Sequence, residues 1–338
     1  MNGPFVEITR GPIVESAHAI SACAVDRSGN ILLRVGDIET PVYLRSSAKP
    51  FIAAAGVRAG ALERFGLEPV EIAVMSASHS GEPFHVAAVR SILEKIGLSE
   101  SALQCGSHAP YNAAAAAELA RRGEPFTAIH NNCSGKHAGI LALCILLGSD
   151  ASAYMELDNP AEQVILEFCA RMTGDAVADY ALGVDGCGIP AFAVSPLHAA
   201  RAFMRLATLS DGDARDMQAL GVVRAAMLAH PEYVAGTGDF DSVLMTECQG
   251  AVVSKGGAEG VHGDGLIPQG VGLVVKVHDG ARRAVAPSVL ALLEELGVNV
   301  GGAQTLRALA EPPIRNRAGR TVGETRTKRA MITKTRKS

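Results

Sequence analysis

AISACAVDRSGNILLRV, residues 19–35, decides how this chain is to be read. Two runs rich in apolar and β-branched residues, 19–25 and 30–35, flank the turn cluster DRSGN, and the pattern predicts a hairpin. FVEIT at 5–9 adds a further strand. Strand patterns return only late, at Gln249–Ser254 and Gly272–Val277, followed by a helix over Pro287–Leu296. Between them the chain reads mostly as helix. Pro50 to about Arg64 is helical, and Pro83–Ile96 sets Val86, Val89, Leu93 and Ile96 on one stripe. A third helix opens with Asn159 as N-cap, Pro160 at N1 and Glu162 at N3, and Gly174 ends it. Leu197–Leu209 and Ala214–Ala229 follow the same period. The exception is EIAVM, 71–75, an apolar run that reads as a buried strand. The expected fold class is α/β, with one sheet assembled from both chain ends and a helical region between. The sheet part would cover about 1–80 and 245–326, and the helix-rich part about 81–244.

Composition narrows the function classes without naming one. The 338 residues are 48% hydrophobic and 20% charged, with 36 Gly, no Trp and a net charge of −4. That excludes a disordered chain and a generally basic nucleic-acid binder. From Arg315 onward nine Lys or Arg face one acid, Glu324, so the end of the chain carries +8 and the rest −12. The last stretch, TKRAMITKTRKS at 327–338, lacks any hydrophobic period and reads as a disordered basic tail outside a catalytic unit spanning 1–326. The longest apolar run, Ala138–Leu147, is about half of the ~20 residues that span a bilayer, so no membrane partner is expected. The N-terminus carries no signal-peptide pattern, and seven Cys scattered along the chain make no disulfide framework, which fits a reducing cytoplasm. Cys23, Cys144 and Cys169 sit on apolar stripes as small core residues.

Five polar stretches could carry chemistry. RSSAKP at 45–50 holds Ser46 and Lys49 three residues apart, a spacing at which a desolvated lysine can serve a serine hydroxyl as base. Pro50 disfavours the α region at Lys49, so the pair is expected in the turn before the helix, where a solvated turn with a helix cap is the alternative. SASHSGEP at 76–83 offers three hydroxyls and a histidine in a loop, or ordinary turn chemistry. HNNCSGKHAG at 130–139 places Cys133, Lys136 and His137 at the start of an apolar helix. The dipole and neighbouring cations there favour a thiolate, as a reactive thiol or a metal ligand. GVDGCGIP at 183–190 repeats the theme with Asp185 and Cys187 in a glycine-rich turn. VSKGGAEG at 253–260 sets Lys255 at the end of a strand, either as a surface lysine or in the manner of the Lys-Thr-Gly element of penicillin-recognising enzymes.

Taken in order, RSSAKPF (45–51), SASHSGE (76–82), NNCSGKH (131–137), VDGCGIP (184–190) and SKGGAEG (254–260) resemble the rhizobial-type, class 3 or asparaginase II, L-asparaginases. The resemblance runs from about Phe5 to Arg326. It implies hydrolysis of L-asparagine to L-aspartate and ammonia, a serine β-lactamase/glutaminase-like fold, and a homodimer. It implies Ser46 and Lys49 as one Ser-Lys tandem, with Ser46 the nucleophile, and Ser78 with Lys255 as a second. Cys133, Lys136 and Cys187 would bind Zn2+ with water in the fourth position. Arg45, Ser80, His137 and Asp185 would orient the substrate or back the ligands. Lysine ligates zinc only as the free amine, a form that burial and the metal both favour.

Two other readings fit parts of the pattern. A cytosolic β-lactamase-like serine hydrolase would use the Ser-x-x-Lys and Lys-Gly-Gly elements. A non-catalytic thiol or zinc sensor would use the basic tail on nucleic acid, a partner the acidic remainder of the chain argues against.

Overall fold

The structure, a computed structural model, describes residues 3–300 and 304–335. The chain forms two units. One is built from both chain ends and a single internal segment, residues 1–42, 194–208 and 243–338; the other comprises 43–193 and 209–242.

The first unit holds a six-stranded antiparallel sheet. Its spatial order is Thr333–Lys334, Ile31–Val35, Ile20–Asp26, Val271–Val277, Val261–Leu266 and Val252–Gly256. The hairpin of residues 20–35 forms as its sequence predicts, and its first strand pairs with the late one through Ala24 and Leu273. The helix Pro196–Thr208 lies on this sheet. Glycines on the strands permit the approach: a Cβ on Gly272 would come within 2.0 Å of the Ala200 carbonyl oxygen, and one on Gly263 within 2.0 Å of the Phe203 ring. This helix therefore belongs with the sheet, although its sequence falls inside the stretch expected to be helix-rich. A smaller antiparallel sheet joins Val6–Arg10 to Ile13–His18 and Thr325–Thr327.

Residues 327–335 form regular elements where the sequence suggested a disordered tail. Thr333 and Lys334 pair with Arg34 and Leu33, and the Thr335 N–H donates to the Leu32 carbonyl. The basic residues that looked solvated have acidic partners: Lys328 meets Glu7, Arg329 meets Glu294 and Glu295, and Lys334 meets Glu295. Short strand pairing and charge matching take the place of a hydrophobic period. The last residues, 336–338, lie outside the described part.

The second unit is helical around Ser134–Leu147, which is buried from its first residue through Cys144 and so behaves as a central helix. Lys49–Ala59 packs on it and on Pro160–Thr173 and Ala214–Ala229. The run 71–75 is helix, not strand: the element is Pro69–Met75. Pro69 presets its first turn and the Glu71 carboxylate accepts from the Glu68 N–H at 2.6 Å, end signals that override the β-prone side chains. Gly135 lets the central helix meet this one, since a Cβ there would lie 2.1 Å from the Val74 carbonyl oxygen. Asn159 caps Pro160–Thr173 through the Ala161 N–H, as its sequence predicts. Among the described residues no helix is long and apolar enough to cross a membrane.

Glu162, three residues past that cap, is buried with Oε1 unpartnered. Burial, partly offset by the Lys136 charge, pushes its pKa from 4.5 up to about 8. An unfolded chain loses this proton near pH 4.5 whereas the folded protein keeps it to about pH 8, so the group costs stability progressively as pH rises through that window. Glu162→Gln removes the penalty. Thermal melts should show the Tm of the variant gaining several degrees on wild type between pH 5 and pH 8, and the gap closing at acid pH.

Candidate active site

Four of the five polar stretches meet within the helical unit. Residues Arg45–Ala48 form a 3-10 turn that runs directly into Lys49–Ala59. Lys49 is itself helical, φ −58° and ψ −35°, despite the proline that follows; the bonds of its side chain outweigh that local preference. Its ammonium is buried, 1% exposed, and donates to the Ala77 carbonyl at 2.5 Å, Ser78 Oγ at 3.1 Å and the Asn132 carbonyl at 3.5 Å. Lysine and serine thus meet across two segments. The Ser46 hydroxyl, expected as the partner of Lys49, makes no hydrogen bond among the described residues. The loop holding Ser78 is fixed by its N–H to the Val234 carbonyl and by the His79 N–H to the Asn132 carbonyl.

Arg45 sits at φ +50°, a conformation unusual for arginine. Its Nε donates to Asp185 Oδ1 at 2.6 Å, which anchors the strained turn. Asp185 and Cys187 occupy the tight turn between the strands Ala181–Val184 and Pro190–Val194, closed by the Gly188 N–H to the Asp185 carbonyl. Burial would raise the Asp185 pKa, but Lys136, Arg45 and the Gly186 N–H together hold it below the usual carboxylate value. Arg45, Lys49, Lys136, Asp185 and Phe192 line a cleft of about 280 Å³ counted to its open mouth.

Cys133 caps the central helix, with its backbone N–H on Asn131 Oδ1 at 2.8 Å. Lys136 Nζ donates to Cys187 Sγ at 2.8 Å and lies 3.7 Å from Asp185 Oδ2. The Cys187 thiol bonds Cys133 and, together with the Lys49 and Lys136 charges, draws the Cys133 thiol well below its ordinary pKa against the pull of burial. The thiolate form of Cys133 is thereby favoured, while the Cys187 thiol, buried beside it, is pushed up. The same sulfurs and Asp185 overcome burial to raise the Lys136 pKa. Two soft sulfur donors and one amine converge here, a donor set that fits zinc once the thiol and ammonium protons leave. Among the described residues no group of three or more His, Cys, Asp or Glu side chains offers an alternative metal site.

His137 is buried, with Nδ1 2.6 Å from the Tyr154 hydroxyl and Nε2 unpartnered. Burial and the charges of Lys136 and Lys49 depress its pKa, so the ring is neutral. Ser80 Oγ donates to Glu82 at 2.7 Å. Lys255 belongs to the sheet unit, where its ammonium, 1% exposed, donates to the Gly256 carbonyl at 2.6 Å. Sequence reasoning missed Tyr154 and Asn132 as supports. Tyr154 stands alone in its stretch with no motif to mark it, whereas the Asn131-Asn132 pair was visible in the motif without a role.

The L-asparaginase II family matches residues 6–327, and the chain belongs to that family. It is thus an amidohydrolase-type protein. No curated protein matches it. Among solved structures, one of a protein called Mglu is 14% identical, with 85% of this chain and 69% of that chain covered at a TM-score of 0.39. A candidate β-lactamase from Bacteroides dorei DSM 17855 is 13% identical, with 82% and 94% covered at a TM-score of 0.43. Both are distant likenesses.

The Tyr154 hydroxyl also accepts the Gln104 N–H at 2.8 Å. Tyr154→Phe leaves the buried His137 ring, and the part-buried Gln104 N–H, without that partner. Urea unfolding should show a loss of about 1–3 kcal/mol.

Proposed function

We propose that the chain hydrolyses L-asparagine to L-aspartate and ammonia. The observation that carries this reading is the 3.1 Å contact between Lys49 Nζ and Ser78 Oγ in a member of the L-asparaginase II family. An amide is a poor electrophile, so the site needs an activated nucleophile, donors for the oxyanion and an acid for the departing ammonia. In this reading Ser46 is the nucleophile, one turn ahead of Lys49. Lys49 as the free amine takes the Ser46 proton, and Ser78 relays it to the leaving nitrogen. The C–N bond breaks, ammonia departs and an ester to Ser46 forms. Water then attacks the ester, giving one proton back to Ser46 and releasing aspartate. The family resemblance assigns Lys255 to a second Ser-Lys tandem, and Arg45, Ser80, His137 and Asp185 orient the substrate or support the ligands. Cys133, Lys136 and Cys187 hold a zinc ion whose bound form supplies electrophilic assistance or substrate fixation. The functional assembly is a homodimer in the cytoplasm.

Ammonia release from asparagine tests the serine roles. Ser46→Ala should lower kcat by about three orders of magnitude or more, and Ser78→Ala by about a hundredfold. The reverse ranking would move the nucleophile to Ser78, the hydroxyl that Lys49 contacts. Elemental analysis tests the metal: about one zinc per chain in the wild type, and none in Cys133→Ala/Cys187→Ala. Equal zinc in both proteins removes these ligands from the reading.

A further inference from the structure

Lys49 takes its acceptors from two segments, the Ala77 carbonyl and Ser78 Oγ from one and the Asn132 carbonyl from the other. Residues 76–82 and 131–133 belong to no helix or strand, so no regular backbone ladder of their own sets where those acceptors lie. A third stretch, CGSHAPYN at 105–112, fastens both. The Asn112 N–H donates to the Ser80 carbonyl at 2.9 Å. Gly81, at φ +74°, leaves room for Pro110: a Cβ there would lie 2.9 Å from Pro110 Cβ. On the other segment the Asn131 side-chain amide donates to the Cys105 and Gly106 carbonyls at 2.9 and 3.1 Å, and the Asn132 N–H donates to His108 Nε2 at 3.0 Å.

This grip turns on the His108 side chain. Its Nδ1 lies 2.7 Å from the Ala109 carbonyl, which can only accept, so Nδ1 carries the proton and Nε2 is left to accept the Asn132 N–H. The Asn132 side-chain amide stands 3.3 Å from that same nitrogen. Tyr111 stacks on the imidazole, with ring centroids 4.6 Å apart and planes at 18°, and holds the ring in its plane. Tyr111 is 67% exposed and His108 is half-buried, so the pair is not core packing. The residue they hold presents its carbonyl to Lys49 Nζ at 3.5 Å and to the His79 N–H at 3.2 Å, the position next to Ser78. A bond of 3.5 Å has no slack, so a small shift of residue 132 loses it.

We infer that His108 is a positioning residue for the proposed hydrolysis: through Asn132 it sets the contact between Lys49 Nζ and Ser78 Oγ. The inference rests on the amidohydrolase reading, with Lys49 as the base, and adds the residue that holds that base in place. His108 does not line the cleft, so it has no direct contact to offer a substrate there. A side chain that only stabilised the fold would move the Tm and leave turnover alone. One that positions the base moves kcat and leaves KM alone.

The experiment measures kcat and KM for ammonia release from L-asparagine in the wild type, His108→Ala and His108→Gln. The glutamine amide oxygen can still accept the Asn132 N–H; alanine offers no acceptor. His108→Ala should lose about tenfold to a hundredfold in kcat with KM within about twofold of wild type. His108→Gln should recover kcat to within about threefold of wild type. An unchanged kcat in His108→Ala, a loss carried by KM, or no recovery in His108→Gln overturns the assignment. Should His108→Ala fail to fold, Tyr111→Ala removes only the exposed stacking ring; its kcat should fall by about threefold or more, and an unchanged kcat overturns the assignment. If the wild type releases no ammonia, the asparaginase reading falls and the same variants are compared by mass spectrometry for phosphonylation of the site serines by a fluorophosphonate. Labelling slowed in His108→Ala and restored in His108→Gln sustains the positioning role. Equal rates in all three proteins, or no labelling of the wild type, overturn it.

Discussion

Two lysine side chains, Lys49 and Lys136, are buried at 1% and 2% exposure in neighbouring parts of the helical unit. Removing an ammonium from water is costly unless its protons find acceptors, so the surrounding chain has to deliver them. Lys49 draws in the carbonyls of Ala77 and Asn132 with the hydroxyl of Ser78; Lys136 draws in Cys187 and Asp185. Four stretches distant in sequence are brought to one place by that demand. The packing around them serves it too, since the central helix carrying Lys136 reaches its neighbour only through a glycine.

The two lysines also tie the sulfur cluster to the serine cluster. Cys133 answers to both charges, with Cys187 as its immediate hydrogen-bond partner. One site therefore holds two cysteine sulfurs, two buried lysines and a carboxylate within a few hydrogen bonds of one another. Such a cluster keeps its charge nearly balanced while leaving protons to move, which is the condition that acid-base chemistry on an amide requires.

Much of this was legible in the sequence, and the parts that were not share a cause. The cap at Asn159 and the hairpin at 19–35 are local, and turn or capping chemistry names them. Lys49 shows the limit of local rules: Pro50 argues against a helical lysine, and only contacts to residues 77, 78 and 132 explain why it is one. The run 71–75 has the side chains of a strand and the ends of a helix. His108 stands in a stretch that no motif marks, and only its bond to the Asn132 N–H, 24 residues away, gives it a role. The basic end of the chain misled for the same reason, because its acidic partners Glu7, Glu294 and Glu295 are scattered.

The order of strands in the sheet unit bears on synthesis. The hairpin of residues 20–35 leaves the ribosome early, but its partners are Val271–Val277 on one side and Thr333–Lys334 on the other. Until those emerge, both of its edges offer unpaired backbone groups, the state in which strands join the wrong chain. The helical unit is closer to continuous, 43–193 with one later segment, and its contacts form sooner. Nascent chains stalled before residue 271 would hold their first hairpin open, and a chaperone that shields strand edges would find its target in residues 20–35.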